Sequence, residues 1–518
     1  MKIVLRNIFL ALLSGILAFL AFPPFELTLL AWVSLVPLLL AIKTSSFRGT
    51  FWYSYLAGVV FFASLLYWLT NVTVPGMILL VAVLSIFYGI FGIIAGLVMR
   101  YGLDLFILPF TWVVCEYIRS NLFTGFPWGL LGYSQYRNIN LIQIADITGA
   151  YGVSFLIVIF NVALFSLFIR SRKKIVYMMV ALFLIIMSTS YGIYRLNNYR
   201  IWGSPRLSVV QGNIPQHEKW DAKFADDIVK KYERITKEAA KTKPSLIIWP
   251  ETSYPYLVEG KENPAEEISA LAARVEIPIL AGFAYKEGND YYNTAMLFDE
   301  TGEVAGVYYK KHLVPFGEYV PFAKYLSFLR GYIDKPIGNF ASGDSYTLFS
   351  LKAVTVTPTD SGTKLRQTDF YRFGTLICFE DIFAYIAEEF ALSGASFVVN
   401  ITNDAWFGET AASRQHLQAS VFRAVENKLP VVRAANTGIS CFVNSTGKVT
   451  SYVEEGGKKT FVEGFATDRI DIHAGKSFYT LYGDVFVYFC TFMMAFLFIT
   501  EKLFMIRSRK KSTEEETK

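Results

Sequence analysis

Charge is what this chain has least of. Lys, Arg, Asp and Glu make up 18% of its 518 residues, against about a quarter in soluble globular chains. That deficit excludes a disordered chain, which needs few apolar side chains and high net charge. It also excludes an ordinary soluble enzyme over the whole length. Cysteine is nearly as rare, with four residues, too few for a disulfide-knit scaffold. The four histidines (His217, His312, His416 and His473) are scattered and match no ligand spacing such as HExxH, so neither a metal nor another cofactor is expected. A GxSxG elbow is missing, which removes one common acyl-transfer design. What the chain has instead is apolar mass: 53% hydrophobic residues and a mean hydropathy of +0.37.

That mass is unevenly placed. Residues 1–194 and 483–506 hold most of it, while 195–482 reads like a soluble domain large enough for its own core. Eight apolar runs stand out, at about 8–22, 27–42, 51–70, 77–99, 102–118, 149–169, 175–194 and 484–506. Several reach the roughly 20 residues needed to cross a bilayer, and shorter ones have aromatic flanks. The first follows Lys2 and Arg6 as a signal peptide would. Its end at residues 18–23 lacks a small-x-small cleavage site, so an uncleaved helix is expected.

A net charge of +6 could suggest nucleic acid, but the placement of the basic residues argues otherwise. Lys2, Arg6, Lys43, Arg48, Arg100, the cluster Arg170, Arg172, Lys173 and Lys174, and Arg507 to Lys511 mark alternate loops. This is the positive-inside pattern. The sequence therefore predicts a polytopic α-helical membrane bundle of about eight spans, seven in 1–194 and one in 483–506. Both termini and the tail 507–518 fall in the cytoplasm, residues 195–482 form an extracytoplasmic domain, and no nucleic-acid partner is expected. Asp104 and Glu116, beside the fifth run, are expected at the membrane interface.

The outer domain changes rhythm. Short β-rich runs (207-LSVVQGNI, 246-LIIWPET, 279-ILAGFAY, 293-NTAMLF, 375-TLICFED, 397-FVVNITND, 431-VVRAANTG) alternate with amphipathic stretches at 223–241, 265–276, 382–393 and 413–429 and with tight turns such as residues 299–302. Continuous apolar strands imply sheets covered by helices, and the mixture of hairpins and helical crossovers implies a layered α/β domain.

Three strand ends in this domain carry reactive side chains. Cys378 stands where an apolar strand gives way to acidic residues and a helix, a corner at which backbone amides stabilise thiolate and oxyanion alike. Glu251 stands at the tip of 246-LIIW, where a carboxylate can also do no more than cap a turn. Lys310 opens a Pro- and Gly-shaped loop that ends in Glu318, and either Lys310 or Lys311 could be plain surface charge. Together a carboxylate, an ammonium and a thiol supply a base, a cation and a nucleophile. Cys441 reads as a small buried hydrophobe.

The motifs Trp249-Pro250-Glu251, Lys310-x-His312 through Phe316-Gly317-Glu318, and Cys378-Phe379-Glu380-Asp381, in this order, resemble the nitrilase (carbon–nitrogen hydrolase) superfamily. The whole chain resembles its membrane branch, the bacterial apolipoprotein N-acyltransferases. That likeness is carried also by Gly125-Phe126-Pro127-Trp128, residues 211–216 (QGNIPQ), Lys219-Trp220 and Asn403-Asp404-Ala405-Trp406-Phe407-Gly408. The resemblance implies an αββα sandwich and a triad of Glu251 as base, Lys310 as cation and Cys378 as nucleophile. It implies supporting or substrate-binding positions at Trp128, Trp220, Glu318, Phe379, Glu380, Asn403 and Trp406. Phe379 stands where the family often has Tyr. The implied reaction moves a fatty acyl chain from a phosphatidylethanolamine-like phospholipid to the N-terminal amine of an S-diacylglyceryl apolipoprotein, through a thioester, at the bacterial inner membrane.

Three other classes fit less of the sequence. A membrane-anchored amidase would need one anchor rather than eight runs. A transporter would leave the three motifs unexplained, and a non-catalytic lipoprotein-binding protein would not need a complete triad. Residues 315–332 (PFGEYVPFAKYLSFLRGY) are rich in aromatics and read in two ways, as packing on the domain's own core or as an interfacial arm that admits lipid to the thiol.

Overall fold

The computed structural model describes residues 1–259, 265–315, 317–319, 340–358 and 364–516. Most of the proposed arm at 315–332 lies outside the described residues. The chain divides into two compact units, residues 1–197 with 482–518, and residues 198–481.

The first unit is helical. Its helices are α1 (Lys2–Leu20), α2 (Leu35–Lys43), α3 (Phe47–Leu65), α4 (Val74–Tyr101), α5 (Ile107–Asn121), the short α6 (Ile139–Ile142) and α7 (Ala145–Thr148), α8 (Ala150–Phe168), α9 (Lys174–Asn197) and a C-terminal helix, Val485–Glu516. Local chemistry sets their ends. Thr73 accepts from the Gly76 amide ahead of α4, Pro75 occupies its first turn, and Gly102 closes it in the left-handed conformation. Small residues let α3 and α4 approach: a Cβ on Gly92 would lie 2.1 Å from Ser54 Oγ, the close contact that bilayer helices favour.

Among the described residues, five helices are long and apolar enough to cross a membrane: α1, α4, α8, α9 and the C-terminal helix over Val485–Leu503. The other three apolar runs are helical but shorter or more polar. The run at 27–42 breaks into a turn, Thr28–Trp32, and the nine-residue α2. Asn161 of α8 fills that break, accepting from the Leu35 amide at 2.9 Å and donating to the Ala31 carbonyl at 3.0 Å.

Glu116 is buried within the helical unit. It is 5% exposed and accepts from the Leu131 amide at 2.7 Å. Arg119 lies one turn along and donates to the Phe126 and Trp128 carbonyls at 2.8 and 2.7 Å. The pair is buried because it satisfies the backbone of an irregular segment that has no helix partners of its own. Asp104 instead meets Lys173 at 2.6 Å.

The second unit is a sandwich. Its strands are β1 (Ile201–Gly203), β2 (Arg206–Gln211), β3 (Leu246–Ile248), β4 (Leu257–Glu259), β5 (Ile279–Glu287), β6 (Asp290–Phe298), β7 (Val304–Tyr309), β8 (Phe349–Pro358), β9 (Lys364–Ile377), β10 (Phe397–Thr402), β11 (Val431–Ala435), β12 (Cys441–Val443), β13 (Val449–Tyr452), β14 (Gly464–Arg469) and β15 (Ile472–His473). One sheet runs β14-β2-β3-β5-β6-β7, with β4 paired to β5; the other runs β13-β12-β11-β10-β9-β8. The central strands β2, β3 and β5, and likewise β9, β10 and β11, pair in parallel, which is why they read as unbroken apolar runs.

Helices α10 (Ala225–Ala240) and α11 (Glu266–Val275) cover the first sheet. Helices α12 (Ala384–Leu392) and α13 (Ala412–Asn427) cover the second. The inner faces meet where β2 packs on β11 and β6 on β9. The order of layers is therefore αββα. Helix α10 turns Ile228, Tyr232 and Ile235 inward, and Tyr232 stacks on Trp249 with ring centroids 4.8 Å apart. That fixes the strand end that leads to Glu251.

Candidate active site

Two strand ends of the first sheet bring Glu251 and Lys310 together. Lys310, 1% exposed, directs its Nζ to Glu318 Oε1 at 2.9 Å and to Glu251 Oε1 at 3.7 Å. Burial alone would lower the lysine's pKa, but the charges of Glu318 and Glu251 outweigh it and raise the pKa. Lys310 is thus a fixed ammonium held by two carboxylates.

Glu251 is 7% exposed and its carboxylate is fully engaged. Asn293 of β6 donates to Oε1 at 2.7 Å and to Glu318 Oε1 at 2.9 Å. The backbone amide of Asn403, just past β10, donates to Oε2 at 2.9 Å. The main chain at Glu251 is held as well. Lys219 donates to its carbonyl at 2.9 Å, and Gly282 packs so closely behind that a Cβ there would lie 2.7 Å from Glu251 Cα. Burial brings the Lys219 ammonium down to about 8, against the pull of Glu251.

Cys378 leaves β9 in the left-handed conformation, φ 52°, and opens the tight turn Cys378–Ile382. A non-glycine residue in this region is strained unless its surroundings enforce it. Glu380 does the enforcing. It is fully buried and accepts from the Ile377 amide at 2.7 Å, the Lys311 amide at 2.7 Å, the His312 amide at 3.1 Å and the Tyr308 hydroxyl at 3.0 Å. It therefore staples the thiol's turn to the loop that follows Lys310. Burial pushes its carboxyl up to about 7 despite those donors. Cys378 as a residue is partly exposed; desolvation and the charge of Glu251 push the thiol's pKa up while Lys310 pulls it down. The remaining cysteines, Cys115, Cys441 and Cys490, are buried.

Of the supporting positions, Trp220, Glu318, Asn403 and Trp406 line one cavity of about 90 Å³ together with Glu251 and Asn293. Phe379 is buried edge-on against Phe383, ring centroids 5.6 Å apart. Trp128 belongs to the helical unit, where it lies 5.1 Å from Trp68. A larger cavity of about 400 Å³ lies between α10 and α11; its lining holds neither a thiol nor a hydroxyl side chain. Sequence reasoning missed Asn293, and it quoted Lys219 for the resemblance without giving it a place at the site. Asn293 had a visible signal, a lone amide at the start of an otherwise apolar strand run.

The Carbon-nitrogen hydrolase family model matches residues 206–470, so the two-sheet αββα domain is a carbon–nitrogen hydrolase domain. The model of the apolipoprotein N-acyltransferase N-terminal domain matches residues 14–163. The chain belongs to the apolipoprotein N-acyltransferase family. It is 38% identical to the Apolipoprotein N-acyltransferase of Geobacter metallireducens, covering 94% of this chain and 93% of that one. It is 28% identical to the protein of that name from Chlorobaculum tepidum, covering 94% and 95%. Among solved structures, a nitrilase-superfamily member of Saccharomyces cerevisiae aligns over 52% of this chain and 91% of its own, with 18% identity and a TM-score of 0.38, too low to bear on function.

Proposed function

We propose that this protein N-acylates lipoproteins by a two-step transfer through Cys378. In the first step Glu251 takes the thiol proton, and the thiolate attacks the ester carbonyl of a phospholipid. Lys310 and a backbone amide beside Cys378 stabilise the oxyanion, and Glu251 returns the proton to the leaving alcohol. In the second step the N-terminal amine of an S-diacylglyceryl apolipoprotein attacks the thioester, Glu251 accepts its proton, and as the C–S bond breaks Glu251 passes that proton to the leaving Cys378 sulfur, restoring the thiol. A phosphatidylethanolamine-like lipid is the donor. The reading places eight crossings in the bacterial inner membrane, both termini in the cytoplasm and residues 195–482 outside.

The observation that carries this reading is the buried Lys310 ammonium clamped between Glu251 and Glu318, its charge acting on Cys378 from the other sheet. That cluster belongs to a chain with five membrane-length helices and relatives named for apolipoprotein N-acylation. A water-only hydrolase would use the same cluster.

Intact-mass measurement after incubation with phospholipid separates the cases. An acyl mass on Cys378, absent from Cys378→Ala and retained in Cys441→Ala, is expected. That mass should clear rapidly with a diacylglyceryl lipopeptide and slowly with water alone. No acyl mass, or acylation of Cys378→Ala, would overturn the proposal.

A further inference from the structure

Two amide side chains beside Glu251 are each half used. Asn293, 3% exposed, gives both hydrogens of its Nδ2 to carboxylates, Glu251 at 2.7 Å and Glu318 at 2.9 Å. Turned over, the amide would set its oxygen against two carboxylates, so the orientation is fixed. Its Oδ1 is buried and has no hydrogen-bond partner among the described residues. Gln216 is the converse. Its Oε1 accepts from Asn403 Nδ2 at 2.8 Å, while its Nε2 is buried and has no partner among the described residues. The main chain sets that orientation through two asparagines: the Ile214 amide donates to Asn436 Oδ1 at 2.9 Å, and Asn436 Nδ2 donates to Asn403 Oδ1 at 3.0 Å. Asn403 is left to donate from its Nδ2, and Gln216 must receive with its oxygen.

Both amides line the cavity of about 90 Å³ that Glu251 also lines, room for a group of a few heavy atoms. They are tied to different oxygens of that carboxylate. Asn293 reaches Oε1, and the backbone amide of Asn403, the residue that holds Gln216, reaches Oε2. A buried polar atom left without a partner is destabilising, so such atoms at a site specify what completes them. Here the complement is an N–H for Asn293 and a carbonyl oxygen for Gln216, both beside a base.

We propose that Asn293 and Gln216 form a subsite for the first residue of the acceptor polypeptide, Asn293 Oδ1 accepting from its α-amine and Gln216 Nε2 donating to its carbonyl oxygen. The assignment deepens the proposed transfer to an N-terminal amine and rests on it. A neutral amine has two hydrogens and a lone pair. One hydrogen faces Glu251, the second pairs with Asn293, and the lone pair is left for the thioester carbon. As the C–N bond forms and the C–S bond breaks, the first proton passes to Glu251 and on to the Cys378 sulfur. The second stays on nitrogen and becomes the hydrogen of the new amide. The hydroxyl of a lysophospholipid has one hydrogen, so in serving Glu251 it leaves Asn293 unpaired. Water satisfies Asn293 but brings no carbonyl for Gln216, and a simple alkylamine fails in the same way. Of these acceptors the α-amino carbonyl end of a polypeptide alone completes both residues. The subsite thereby favours forward transfer over return of the acyl chain to lipid and over hydrolysis.

The test is equilibrium binding, by calorimetry in detergent micelles, to the full-length protein carrying Cys378→Ala, which has no thiol at the site. The probes are S-diacylglyceryl-cysteinyl-serinamide, its N,N-dimethyl derivative and S-diacylglyceryl-cysteamine. The dimethyl probe keeps the charge of the protonated amine but has a single N–H, and the cysteamine probe has the amine without the carbonyl. Adding Asn293→Leu should weaken the peptide probe about tenfold, the loss of one hydrogen bond, and the dimethyl probe little. Adding Gln216→Met should weaken the peptide probe about tenfold and the cysteamine probe little. Each variant is checked by its melting temperature, and should Asn293→Leu melt early, Asn293→Ala is judged by the same criterion. Unchanged binding, or equal weakening of the paired probes, would mean that the residue only shapes the cavity or holds Glu251, and would overturn its assignment. Binding needs no thioester. Failure of wild type to form acyl-Cys378 therefore sinks the proposed transfer, whereas equal weakening of the paired probes sinks the subsite alone.

Discussion

Raising the pH should unlock the buried cluster at His416, and the size of the effect follows from its surroundings. The imidazole pKa is lifted from 6.5 to about 9 by Asp381 and Asp404, against burial and the charge of Arg433. A shift of that size corresponds to about 3 kcal/mol of folding free energy. Because the folded-state value is raised, this stabilisation is fully present below pH 6.5 and is lost as the pH climbs through about 9. Glu380, with its carboxyl raised from 4.5 to about 7, acts with the same sign in a lower window, so the two are separable. The assay is ¹³C-histidine NMR on the full-length protein in detergent. Only four histidines are present, and the His416 resonance is the one absent from His416→Gln. Its titration midpoint should fall near 9. Hydrogen exchange at β10, corrected for the intrinsic pH dependence, should lose protection over pH 6.5–9 in wild type and much less in His416→Gln. A midpoint below 7 would mean a neutral imidazole at neutral pH and would refute a protonated His416 held between Asp381 and Asp404.

Two further outcomes are expected. Gly282→Ala places a Cβ 2.5 Å from the Thr252 amide nitrogen and 2.7 Å from the Pro250 carbonyl. Both are backbone atoms, so Glu251 must move, and turnover should fall on the order of a hundredfold; near-normal turnover would show that the position of Glu251 is unimportant. Single cysteines at Lys43, Arg100 and Arg172 should escape a membrane-impermeant thiol reagent in intact cells, and those at Asn71 and His217 should react. The reverse pattern would put residues 198–481 in the wrong compartment.

The legible parts of this molecule are those whose physics is local in sequence. Strand runs such as 279-ILAGFAY and 397-FVVNITND announced β5 and β10 because strands covered on both faces must be apolar throughout. The stretch 223–241 announced α10 by its alternation of faces. Glu251, Lys310 and Cys378 stood out because each interrupts an apolar run at a strand end.

What stayed hidden depends on partners far along the chain. Nothing near His416 indicates that Asp381, 35 residues away, holds its ring. Nothing near residues 27–42 indicates that Asn161 breaks that run into two pieces. Glu116 reads as interfacial by its charge, and only the backbone it satisfies explains its burial.

The division of side chains between the sheets has a consequence for a chain still being made. Glu251, Asn293 and Lys310 come from one sheet, while Cys378 and Asn403 come from the other. A nascent or damaged copy with one sheet in place has a thiol without its base and cation, or those groups without a thiol. On the proposed reading such a copy cannot take up an acyl group, so incomplete molecules consume no lipid. Acyl labelling of Cys378 would then count only the molecules in a cell whose two sheets have closed on each other, making it a direct measure of the folded fraction.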